Sequence, residues 1–218
     1  MMQYIFSDRQ RTNVLKRAES QAIQLFCKHM PAWVTPNFLT TVGLAGGLIV
    51  FLGLWLARTN ILFLLISILG LALHWFGDSL DGRLAYYRNT PRKWFGFSLD
   101  VVVDWISIFA MGLGCYMYLP RYRVVAFLLI AAYGAAIVIA LLRYKISGNY
   151  KIDLFNFGPT EMRVLIAAVL LLEIFRPDSL LQFCVIAALV LTVMNIVELR
   201  EVLRLADARD ASERVILK

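Results

Sequence analysis

Charge is what this chain has least of. Only 17% of its 218 residues are charged while 60% are hydrophobic, and the mean hydropathy of +0.69 excludes an ordinary soluble domain. Cysteine is sparse, and Cys27, Cys115 and Cys184 show no metal-ligand spacing. Two of them fall inside apolar runs, so they read as small packing residues rather than ligands or disulfide partners. Proline is confined to edges: Pro31, Pro36, Pro91, Pro120, Pro159 and Pro177 all lie at or beyond the ends of apolar runs, where a missing N–H costs least. Internal repeats, low-complexity tracts and a second soluble domain are lacking, so one membrane domain is the economical count. A cleavable signal peptide is not expected either, because the first apolar run follows a long, largely polar segment.

What is present is six apolar runs, at 38–57, 61–77, 98–119, 124–142, 160–175 and 180–198, each close to the ~17–25 residues that cross a bilayer. The expected fold is an all-α polytopic membrane protein with six transmembrane helices and an N-terminal interfacial amphipathic helix. Residues 1–34 form the cytoplasmic or interfacial helix, 35–200 the membrane domain and 201–218 a charged cytoplasmic tail. Leu15, Ala18, Ala22, Leu25, Phe26 and Met30 recur at helical steps, which fits a helix lying in the interface or one capping the bundle. Gly43 and Gly47 present a small-residue face, used within one subunit or between two.

The net charge of +7 raises the question of nucleic acid, but its placement argues for lipid. Taking the N-terminus as cytoplasmic, the inner segments hold Arg9, Arg11, Lys16, Arg17, Lys28, Arg83, Arg88, Arg92, Lys93, Arg143, Lys145, Lys151, Arg163, Arg200, Arg204, Arg209, Arg214 and Lys218. The outer turns hold only Arg58, Arg121, Arg123 and Arg176. This asymmetry puts both termini inside. The basic excess then faces anionic headgroups and phosphorylated substrates.

Against this apolar background stand four aspartates, Asp78, Asp81, Asp100 and Asp104, at the inner ends of the second and third runs. An aspartate in mid-membrane costs ~2.5–3.5 kcal/mol, so such a cluster needs counter-charge. Hard divalent cations prefer carboxylate oxygens and keep positions open for phosphate. At ~100° per residue, Asp78 and Asp81 lie about 60° apart and Asp100 and Asp104 about 40° apart, so each pair faces one way. Both pairs share one membrane level, and the short basic turn from Tyr86 to Lys93 lets two antiparallel helices bring them to a common centre. Gly82, Ala85 and Gly96 leave room there for a ligand.

Residues 78–104, DSLDGRLAYYRNTPRKWFGFSLDVVVD, resemble the signature of the CDP-alcohol phosphatidyltransferases, D-x2-D-G-x2-A-R followed by G-x3-D-x3-D. Asp78, Asp81, Gly82, Ala85, Gly96, Asp100 and Asp104 match; Tyr86 stands where the family has arginine. The resemblance implies six membrane helices, an interfacial N-terminal helix, a cytoplasm-facing site and a homodimer. It further implies magnesium or manganese, two ions, held by Asp78, Asp81, Asp100 and Asp104, with Asp104 as catalytic base. The CDP moiety would be held by Thr35, Pro36, Asn37, Asp78, Gly82, Ala85 and Gly96, with Tyr86 at the position of the lost phosphate-supporting arginine and Arg83 or Arg88 a candidate replacement.

The activity so implied is transfer of a phosphatidyl group from a CDP-alcohol, taken to be CDP-diacylglycerol, to a polar or phosphorylated alcohol, with release of CMP, in the inner membrane of a bacterium. Membrane lipids are the surroundings and nucleic acid is not a partner. For the acceptor, Glu161, Arg163, Arg143 and Lys145 are the candidates; the last two read equally as interface anchors. His74 reads as a polar interior residue and Glu173 as one reaching the outer interface. Three other readings compete: a catalytically silent relative serving as lipid-binding or partner protein, favoured by Tyr86; an intramembrane prenyltransferase, which resembles a longer chain; and a cation transporter, whose carboxylates would trace a path rather than cluster.

Overall fold

Thr35 starts the membrane bundle. Its hydroxyl accepts a hydrogen bond from the Phe38 N–H at 3.1 Å, and Pro36 occupies the first helical turn, where its missing donor is harmless. The computed structural model describes residues 16–148 and 158–216. Arg9, Arg11, Leu15, Lys151 and Lys218 lie outside the described residues, as does most of the loop after the fourth run. Seven α-helices follow: α1 (Lys16–His29), α2 (Pro36–Leu56), α3 (Leu64–Tyr87), α4 (Lys93–Tyr118), α5 (Arg123–Ser147), α6 (Pro159–Phe175) and α7 (Ser179–Ile216). A 3-10 turn at Ile61–Phe63 leads into α3, and no strand occurs among the described residues.

Five of these helices, α2, α3 with its 3-10 turn, α4, α5 and α7, are long and apolar enough to cross a membrane. At 17 residues α6 is the shortest of the six helices that carry the apolar runs. The most extensive packing is between α2 and α3, and it answers the question raised by the glycines. A Cβ on Gly46 would sit 2.3 Å from the His74 backbone nitrogen, and one on Gly77 would sit 2.2 Å from that of Gly43. The two backbones therefore touch within one chain, as small residues permit in the absence of a hydrophobic drive between helices. The Ser67 hydroxyl seals the contact by donating to the Val50 carbonyl at 3.0 Å.

α1 buries Ile23 and Cys27 against Leu80 and Leu84 of α3. Arg88, the residue that ends α3, pins the α1–α2 connection: its guanidinium donates to the carbonyls of Met30, Pro31, Ala32 and Val34 at 2.5–3.4 Å.

Two expectations need correction at the far side of the bundle. α7 does not end near Leu199 and release a separate tail. With no proline or glycine between Ser179 and Ile216, it continues as one helix of 38 residues, and Arg209 on its extension donates to the Lys145 and Ile146 carbonyls that end α5. Nor does Glu173 reach outward. It is 3% exposed, accepting from Tyr118 Oη at 3.0 Å and from the N–H groups of Asp178 and Leu180 at 3.3 and 2.7 Å. The unpaired donors at the start of α7 attract a carboxylate more strongly than the interface does.

Candidate active site

The polar residues of α3 and α4 meet where the α2–α3 contact opens toward the Tyr87–Lys93 connection. Asp78, Asp81, Asp100 and Asp104 line one small cavity together with Thr40, Gly43, His74 and Val103. Asp78 and Asp81 stand just past the 61–77 run and Asp100 and Asp104 in the first turns of the 98–119 run, so the helix that supplies their depth also fixes their direction. Oxygens of Asp78, Asp100 and Asp104 lie within 4.8 Å of one another. The cavity measures about 10 Å³, the room of a single water or ion.

Asp81 is held by two neutral donors. Its Oδ2 accepts from the Thr40 hydroxyl at 2.7 Å and its Oδ1 from the Gly82 N–H at 2.5 Å. Thr40, one turn after Asn37, was not singled out from the sequence, although a threonine on an apolar helix facing an acidic neighbour is the kind of signal that finds it. Gly82 and Gly96 are open: a side chain built at either would meet nothing within 4 Å. Open glycines beside the second and third aspartates leave the helix backbones accessible to a ligand.

Arg163 supplies positive charge from α6. Its Nη2 donates to Asp78 Oδ2 at 2.5 Å, while its buried Nη1 has no hydrogen-bond partner among the described residues. α6 is fixed in turn by the Trp75 indole N–H, which donates to Thr160 Oγ1 at 3.2 Å. Between α3 and α6 runs an apolar cleft of about 330 Å³, with Leu71, Trp75, Val164 and Arg163 along it. Four carboxylates around an ion-sized void suit a hard divalent metal.

The remaining candidates fall elsewhere. Glu161 accepts from the Gly158 N–H at 3.1 Å and caps its own helix. Arg143 pairs with Glu198 and Glu201 of α7 at 2.5 and 2.9 Å, Lys145 is exposed near the same end of α5, and Arg88 is engaged on the α1–α2 link. Tyr86 is partly exposed at the end of α3. Asn37 of α2 accepts from Arg92 Nη2 at 2.5 Å, a contact the sequence reading did not anticipate. His74 is buried, as expected of a polar interior residue, and its Nδ1 has no partner among the described residues.

A bundle of membrane-length helices with an ion-sized cavity lined by four aspartates, three of them close enough to share a metal ion, defines a helical membrane protein that could bind metal. The CDP-alcohol phosphatidyltransferase family model matches residues 33–194, and the chain belongs to that family. It is thus an enzyme that transfers a phosphatidyl-type group from a CDP-alcohol in phospholipid synthesis. Its fold is similar to that of Mycobacterium tuberculosis phosphatidylinositol phosphate synthase (PgsA1), solved in complex with manganese and citrate. The TM-score is 0.64 at 16% identity, over 84% of this chain and 88% of that one. At that identity the likeness is one of fold. A comparison with curated protein sequences gives no match.

Proposed function

We propose that this protein moves the phosphatidyl group of CDP-diacylglycerol onto the hydroxyl of a small polar alcohol that itself carries a phosphate, releasing CMP. The observation that carries the reading is the approach of Asp78, Asp100 and Asp104 to within 4.8 Å of one another, with Arg163 reaching Asp78 from α6.

Asp78, Asp81, Asp100 and Asp104 are the residues that would hold two magnesium or manganese ions, and PgsA1, which shares the fold, was solved with manganese. Such ions, when bound, neutralise charge on a diphosphate and ease departure of a nucleotide monophosphate. Asp104, deepest of the α4 pair, takes the proton of the acceptor hydroxyl as its oxygen bonds to the lipid-bearing phosphorus and the bond from that phosphorus to CMP breaks. Thr35, Pro36, Asn37, Gly82, Ala85 and Gly96 shape the nucleotide's place along the openings of α2, α3 and α4. The unpaired Nη1 of Arg163 suits an acceptor phosphate, since a buried guanidinium donor favours an anionic oxygen. The apolar cleft beside it supports a donor with lipid tails.

In this reading α2–α7 cross the inner membrane of a bacterium six times within a catalytic domain of residues 35–200. The site and both termini face the cytoplasm, α1 lies in the interface, and two chains form a homodimer. α6 is short, but about 25 Å of helix bridges most of a thin bilayer. Purified protein in detergent, given CDP-diacylglycerol, a phosphorylated alcohol and Mn2+ or Mg2+, releases CMP with formation of the matching phospholipid. Absence of CMP release with every acceptor tested sinks the proposal.

A further inference from the structure

Arg92 stands near the site and makes no ion pair with a carboxylate among the described residues. It precedes α4 by one residue, with Gly96 one turn onward and Asp100 a further turn along the same side. Although exposed, its guanidinium is fixed at two points. Nη2 donates to Asn37 Oδ1 at 2.5 Å, and the group lies over the Phe95 ring at 4.1 Å. Both partners are neutral. An arginine held by an amide and a ring keeps its charge for an anion, and it has already lost part of the side-chain freedom that binding would otherwise remove.

The position of Asn37 brings this cation to the carboxylates. Asn37 and Thr40 are three residues apart on α2, about 4.5 Å of helix rise, and Thr40 donates directly to Asp81. The Arg92 guanidinium thus lies roughly one helical turn below the Asp81 level. It flanks the side on which Gly82 and Gly96 are open. That is the separation expected between an ion cluster on one phosphate and a cation on the next. Two other arginines are committed in part or whole: Arg88 to four carbonyls and Arg163, through Nη2, to Asp78.

We propose that Arg92 binds a phosphate of the cytidine nucleotide donor and does the work of the arginine that Tyr86 replaces. The proposal rests on the donor reading above. Arg92 is a binding residue in it, with Asn37 orienting the guanidinium until phosphate takes over part of its hydrogen bonding.

The test uses full-length protein in detergent with two probes: CDP for equilibrium binding in the presence of Mn2+, and CDP-diacylglycerol for turnover. Arg92→Gln is expected to weaken CDP binding and raise the KM for CDP-diacylglycerol by about tenfold or more, the loss of a charge-assisted hydrogen bond, with kcat within about threefold. Arg92→Lys, which keeps the charge, falls between. Tyr86→Arg added to Arg92→Gln recovers most of the lost affinity. The proposal is overturned if Arg92→Gln leaves both CDP affinity and KM within about twofold of wild type, or if Tyr86→Arg recovers nothing. Should wild type release no CMP at all, the donor reading fails, while the CDP-binding comparison still decides the role of Arg92.

Discussion

Arg163 Nη2 meets Asp78 Oδ2 at 2.5 Å, so α6 contributes to a site otherwise built by α2, α3 and α4. This contact ties the place where an acceptor phosphate would bind to one of the carboxylates that would hold metal.

Arg163→Gln removes one partner of a mostly buried pair, and about 3–5 kcal/mol is typical of such a break. Divalent metal at Asp78 offsets part of that. The expected outcome is a lowered thermal midpoint without metal, partly restored by Mn2+, and an increase in acceptor KM larger than any increase in donor KM. Steady-state kinetics with each substrate varied separately, alongside thermal unfolding in detergent, checks both.

Asp104→Asn and Asp78→Asn are expected to differ. The first removes the proton acceptor and should abolish turnover while CDP-diacylglycerol still binds; the second should weaken Mn2+ binding itself. Manganese titration followed by electron paramagnetic resonance, paired with a CMP-release assay, separates the two. Near-normal turnover in both variants would contradict the roles assigned.

Gly46→Ala forces a methyl group against the His74 backbone, 2.3 Å away where it is first built. Overpacking of this kind costs about 1–3 kcal/mol or more, and here the obstacle is backbone, which cannot rotate aside. The variant should melt well below wild type and lose activity through displacement of α3 with its two aspartates. Unchanged melting would show that α2 and α3 are not in such close contact.

Arg88→Ala is a stability variant in this account. Losing the donors to Met30, Pro31, Ala32 and Val34 should loosen the α1–α2 link and reduce stability by about 1–3 kcal/mol, with donor KM held within about twofold. A large rise in donor KM without loss of stability would return Arg88 to the nucleotide site.

The apolar runs and the confinement of proline to their edges made the helices legible, because hydrophobic length and a missing N–H act locally. The aspartate cluster was legible for a related reason: helical period and the short turn before α4 dictate which carboxylates converge. What the sequence did not reveal depends on approach between elements distant in the chain. Arg88 and Arg92 are four residues apart and look alike in sequence, yet one is bound to carbonyls and the other to Asn37, according to where the α1–α2 link and α2 happen to pass. Glu173 and the long α7 were misread because an apolar run marks where a membrane helix must be. It does not mark where a helix stops, nor where a neighbouring helix terminus offers unpaired N–H groups.

The central claim is that the carboxylates of α3 and α4 jointly hold divalent metal. Anomalous diffraction from crystals grown with Mn2+ tests it most directly. The account predicts density between Asp78, Asp100 and Asp104 that disappears in Asp100→Asn crystals grown the same way. Saturating manganese with no anomalous peak between these residues, or a peak unaffected by that substitution, would contradict it.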